Sequence, residues 1–175
     1  MGMSLEEEMG WSRRGDDERW GHRYFEPQKD AECGQHVLNN VLGGRHYRRE
    51  DLQGAAKAVV ATTREDEDEH IGADGWYSHS VLATVLQRDS AKRGKMLFNR
   101  LGEGGYQALM HDDLVYGAVV NQNQAHWIAL VKHNGLLWHV DSRRSPRPMD
   151  ETAFRNELRK YPDTFAVARC QHPGE

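Results

Sequence analysis

Cysteine is scarce in this sequence, with two residues in 175, at positions 33 and 170. A small secreted scaffold stapled by disulfides needs more, so a reducing compartment is expected. Neither cysteine stands in a CxxC pair, which leaves a zinc site of that kind without its ligands. Positive charge is not in excess either. The net charge is −4, which does not suggest a nucleic-acid partner. No apolar run approaches membrane-spanning length, and the first residues hold no apolar signal segment. Met1-Gly2 is followed by Glu6 where N-myristoylation calls for Ser or Thr. The expected location is the cytoplasm, with the nucleus also open.

Hydrophobic residues make up 38% of the chain and charged residues 29%. Much of the polarity is local, in residues 1–23 and in the run Arg64-Glu65-Asp66-Glu67-Asp68-Glu69-His70. Residues 1–23, with Trp11 and Trp20, read as a charged tail or marginal helix. The sharper alternative is a short amphipathic element that folds onto a partner or the domain. The length suits one domain, expected over 24–169, with 170–175 as a second tail.

Val37, Leu38, Val41 and Leu42 recur at helical spacing, and Gly43-Gly44 stops that helix, so one is predicted from Cys33 to Leu42. A second fits Glu50 to Val60. The acidic run follows as a solvated loop or arm. Ser78 is placed to cap a third helix carrying Val81, Leu82, Val85 and Leu86. The period then changes. Strands are predicted at 95–99, 114–121, 126–133, 136–141 and 164–169. A helical turn is expected at 105–111, a two-proline loop at 142–148, and a helix at 150–161. Helices first and an antiparallel sheet second make an α+β arrangement.

Asn134-Gly135 is a strong two-residue hairpin signal. With that turn, His133 pairs with Leu136. Continuing the ladder pairs Ile128 with Asp141 and His126 with Arg143. His126 and Asp141 then share one face at the open end of the hairpin, within reach of each other. A carboxylate bonded to one imidazole nitrogen fixes the tautomer and leaves the other nitrogen for a thiol. Cys33 supplies that thiol from the start of the first predicted helix, where the helix dipole would lower its pKa. Thiolate attack on a carbonyl creates an oxyanion, which the Cys33 N–H and the Gln28 side-chain amide could stabilise. The order Gln, Cys, His, Asp is that of papain-like thiol proteases.

The segment Gln28-Lys29-Asp30-Ala31-Glu32-Cys33-Gly34-Gln35-His36-Val37-Leu38-Asn39-Asn40 resembles the catalytic helix of Josephin domains. Gly75-Trp76-Tyr77-Ser78, His126-Trp127 and Leu137-Trp138-His139-Val140-Asp141-Ser142 resemble later stretches of the same family. The likeness runs from about Tyr24 to Ala168. It implies a papain-like α+β fold and a cysteine-protease deubiquitinase. Cys33 would be nucleophile and His126 general base then acid. Asp141 would orient His126, and Gln28 would stabilise the oxyanion. Ubiquitin or polyubiquitin is the implied partner, with no metal or cofactor, and a monomer is the default. Two departures stand out. The stretch between the first helix and Gly75 is shorter than in members with a long helical hairpin arm, and the charged N-terminal tail has no counterpart.

Rival readings remain beside these. His36 lies one turn after Cys33 and reads as structural. His139 shares the hairpin face of Asp141 but sits nearer the turn. Asn39 and Asn40 are expected to satisfy backbone groups. Trp76, Tyr77, Trp127 and Trp138 read as core, and Cys170 as inert. Arg143, Arg144 and Arg147 read as a solvated loop at the rim. A catalytically weak ubiquitin-binding module, or a papain-like hydrolase acting on another modifier or amide, are the competing functions.

Overall fold

A computed structural model of the chain describes residues 14–28, 32–72 and 75–171. Its helices are α1 (Arg14–Trp20), α2 (Cys33–Leu42), α3 (Arg49–Thr63), α4 (His79–Arg88), α5 (Tyr106–His111) and α6 (Glu151–Lys160). Its strands are β1 (Lys95–Arg100), β2 (Val115–Gln122), β3 (His126–His133), β4 (Leu136–Val140), β5 (Arg147–Met149) and β6 (Thr164–Ala168). They form one sheet in the order β1-β6-β2-β3-β4-β5, every neighbouring pair antiparallel. This is the α+β arrangement expected.

The sheet is covered on both faces. Alternate residues of β3 divide between two cores. Trp127, Ala129 and Val131 join Val37, Leu38 and Val41 of α2 and Leu82 and Leu86 of α4. Ile128 and Leu130 join Leu109 of α5 and Phe154 and Leu158 of α6. This explains why β3 reads as a continuous apolar run rather than an alternating one.

Local chemistry sets the helix ends. Gly43 ends α2 in the left-handed region at φ 80°, donating its N–H to the Asn39 carbonyl. The Ser78 hydroxyl accepts from the Val81 N–H at the start of α4, and Asp150 caps α6 through the Ala153 N–H. Asn134 and Gly135 both take positive φ, 52° and 73°, and His133 pairs with Leu136. The acidic run is exposed from Arg64 to Glu69, with a 3-10 turn at Glu67–Glu69.

One expectation is corrected. The loop at 142–148 contains the start of β5, where Trp138 pairs with Pro148 and Leu137 with Met149. A proline is tolerated there because β5 is an edge strand. Of the stretch read as a charged tail or marginal helix, Arg14–Trp20 form α1. Trp20 is buried, edge-on to Trp138 and His133. His133 Nε2 donates to the Trp20 carbonyl at 2.8 Å, and Asn134 Nδ2 to that of Arg19 at 2.8 Å. One buried indole is enough to seat a short charged helix that periodicity alone would leave in solvent. Trp11 lies outside the described residues. At the opposite edge of the sheet, β1 exposes Leu97 and Phe98.

Candidate active site

The hairpin delivers two side chains to one end of the sheet. The β3–β4 ladder runs from His133↔Leu136 to Ala129↔Val140 and then stops. The extrapolated pairing of His126 with Arg143 does not form, because the chain turns at Asp141, closed by Arg144 N–H to the Asp141 carbonyl at 2.9 Å. The turn is reinforced by the Arg143 N–H donating to Asp141 Oδ1 at 3.0 Å, an Asx-turn. His126 and Asp141 still meet, with Nε2 of the ring 3.0 Å from Oδ1 of the carboxylate. An ionised carboxylate only accepts, so Nε2 carries the proton and Nδ1 of a neutral ring is a bare lone pair.

Asp141 has a second partner that the sequence did not announce. Arg143 grips it bidentately, Nε to Oδ1 at 3.1 Å and Nη2 to Oδ2 at 3.0 Å. Burial alone would push the Asp141 carboxyl up. The hydrogen bonds from His126 and Arg143 outweigh burial and hold it far below the usual carboxylate range. The same pairing raises the Arg143 guanidinium. The motif itself gave one signal for this clamp, an arginine two residues after a carboxylate. An arginine in a proline-bounded stretch reads as solvated by default.

Cys33 is the first residue of α2, and α2 packs against β3 and β2. The residue is 1% exposed. Its thiol donates to the Gly75 carbonyl at 3.6 Å. Burial pushes this thiol up to about 11, against the backbone N–H groups of Trp127, Cys33 and Gly34 and the charge of Arg143, which all pull it down. The lowered thiol expected from the helix start is thus overturned. The amides at the helix start do favour the thiolate, but desolvation dominates. The Trp127 amide brings the residue beside His126 to the sulfur. Among the described residues, Sγ bonds to the Gly75 carbonyl and not to the imidazole.

The wall over the thiol is Gly75-Trp76-Tyr77. Trp76 stacks on Trp127 at 6.5 Å, and Trp127 Nε1 donates to the Tyr77 carbonyl at 2.7 Å. Gly34 lets that wall come close. A Cβ there would meet the Tyr77 ring at 3.0 Å and the Gly75 carbonyl oxygen at 3.4 Å.

Gln28 is tied to the same end. Its N–H donates to the Ser142 carbonyl at 2.6 Å, and the Ser142 hydroxyl donates to Gln28 Oε1 at 3.0 Å. With the side-chain oxygen engaged, the amide nitrogen is the group left to donate elsewhere. Ser142 is therefore a site residue that the sequence offered only as the neighbour of Asp141. Residues 29–31, which link Gln28 to α2, lie outside the described residues.

The rival histidines have other work. His36 pairs through Nδ1 with the buried Glu26, which also binds the Asn39 amide at 3.1 Å and the Tyr24 hydroxyl. Asn40 takes the Glu26 N–H at 2.7 Å, and Asn39 takes the N–H groups of His46 and Tyr47. These residues fasten segment 24–28 to α2 and so lead the chain to Gln28. His139 lies 3.4 Å from Glu157 of α6, in the layer on the far side of the sheet from α2. Cys170 is half-buried beyond β6.

No curated protein matches the chain in sequence. Among solved structures, the Pseudomonas avirulence protein AvrPphB is similar at 12% identity and a TM-score of 0.41, the match covering 83% of this chain and 96% of that one. The profile of the Josephin family matches residues 28–164, most of the chain and all of the end of the sheet just described. The protein belongs to the Josephin family, a family of deubiquitinase-type thiol hydrolases.

Proposed function

We propose that the protein is a deubiquitinase that hydrolyses isopeptide or peptide bonds at the C-terminus of ubiquitin through a thioester on Cys33. The observation that carries this reading is the His126–Asp141 pair at 3.0 Å beside a cysteine at a helix start, within a Josephin chain. Nδ1 of His126 takes the Cys33 proton. The thiolate attacks the carbonyl carbon of the terminal glycine of ubiquitin. The Cys33 N–H and the Gln28 amide nitrogen receive the oxyanion. His126 returns its proton to the leaving amine, and the thioester remains on Cys33. Water, deprotonated by His126, attacks the thioester, releasing ubiquitin and restoring the thiol. Asp141 holds the ring in the tautomer that both steps need. The chemistry suits a reducing compartment such as the cytoplasm or nucleus, and one copy of the chain carries all four residues.

One observation favours a second reading, a ubiquitin-binding module with weak catalysis. Cys33 is buried under Gly75 and its thiol is pushed up rather than down. A ubiquitin probe bearing a thiol-reactive group at its C-terminus separates the two. Wild type and Cys170→Ala should form a covalent adduct and Cys33→Ala should not. Folded, reduced protein that binds ubiquitin without forming an adduct would leave the binding module standing. Neither adduct nor binding would point to a different modifier.

A further inference from the structure

The charge around the thiol does not end at the residues of the hydrolytic reading. Asp141 brings a full negative charge to this end of the sheet, and a carboxylate near a thiolate opposes its formation. Arg143 meets that carboxylate on both oxygens through Nε and Nη2. Its backbone N–H holds the same Oδ1. The guanidinium is about half exposed, so it stays charged in water while its fork is fixed by the buried carboxylate.

We propose that Arg143 is a positioning and charge-setting residue for the Cys33–His126 pair: its bidentate grip locks Asp141 toward His126, and its positive charge offsets that of Asp141 where the thiolate forms. This rests on the thiol-hydrolase reading of the site. Other charged or titratable groups face the sulfur and the carboxylate. Tyr77 lies near the sulfur on the covering wall, and Glu32, next to Cys33, is paired with Arg49 of α3 at 2.8 Å. Arg147 of β5 acts on Asp141 from further off. Arg143 is in hydrogen-bond contact with Asp141 and also lowers the Cys33 thiol.

A fixed positive charge near the thiol lowers its midpoint. Removing it moves the alkylation profile to higher pH. The experiment is the rate of alkylation of Cys33 by a small neutral haloacetamide against pH, in a Cys170→Ala background. Arg143→Gln is expected to move the acid limb up, so that below the midpoint the rate falls about three- to tenfold. Arg143→Lys keeps the charge and should keep the wild-type midpoint while losing the fork. A purely structural role would lower the plateau rate without moving the limbs. Superimposable midpoints for wild type and Arg143→Gln, with equal melting temperatures, would overturn the assignment. So would a Lys variant displaced as far as the Gln variant. Failure of the ubiquitin probe with the shift intact would overturn the ubiquitin reading and leave Arg143 its role.

Discussion

At one end of the sheet, two half-sites lie in contact and are finished to different degrees. On the hairpin side, both carboxylate oxygens of Asp141 are bonded, the His126 ring is fixed, and Ser142 aims Gln28. On the helix side, the Cys33 thiol is buried, raised, and bonded to a backbone carbonyl. On the proposed thiol-hydrolase reading, the hairpin half needs no substrate to reach its working geometry, while the helix half needs the wall at Gly75–Tyr77 to yield or a proton to leave. On that reading, assembling the charged half in advance removes its ordering cost from the reaction. Keeping the thiol protonated and covered protects it from oxidation, since it is the exposed thiolate that oxidises.

The comparison breaks most sharply at the sulfur. Cys33→Ala should abolish turnover, by on the order of 10³-fold or more, with the melting temperature nearly unchanged. Residual turnover within tenfold of wild type would remove Cys33 from the chemistry. Asp141→Ala should lower kcat by about 10²- to 10⁴-fold and also destabilise the fold, since it strands His126 and Arg143. Activity equal to wild type in a kinetic assay would take Asp141 out of the mechanism.

Stability probes the two halves separately. Trp20→Ala should cost about 3 kcal/mol in denaturant unfolding through the lost packing on Trp138 and His133, with kcat little changed. A loss of activity as large as the Asp141 variant's would tie α1 to the site. Gly34→Ala should press on Tyr77 and the Gly75 carbonyl, costing about 1–2 kcal/mol while speeding alkylation of Cys33. Slower alkylation would mean the wall does not guard the thiol.

The smallest effect is in pH. Asp141 has a folded pKa below its unfolded value, so its contribution to stability is complete above about pH 4 and is lost as pH falls toward the folded pKa. Melting temperature should therefore fall more steeply below pH 4 in wild type than in Asp141→Asn. Parallel curves would show the pairing to be thermodynamically silent.

Local signals carried much of this. Asn134-Gly135 set the hairpin register, and the register put His126 and Asp141 together without any long-range assumption. The Val37–Leu42 pattern and Gly43 bounded α2. What stayed hidden depended on distant contacts. The burial of Cys33 comes from residues 75–77, some forty positions away, and no pattern around Cys33 reports that wall. Arg143 looked like rim charge because its partner is revealed only when the chain turns at Asp141. Trp20 looked like part of a tail because its seat is made by the tip of the hairpin. β5 was hidden by Pro148 within it and Pro146 just before it, residues that mark a loop except at a sheet edge.

The two edges of the sheet differ in what they offer to strand addition. β5 is three residues long and carries Pro148, which has no N–H to offer a newcomer. β1 is six residues long with Leu97 and Phe98 in solvent. A sheet that can grow from only one side cannot polymerise by strand addition. Of the two edges, β1 is the one that still offers a row of backbone groups for pairing.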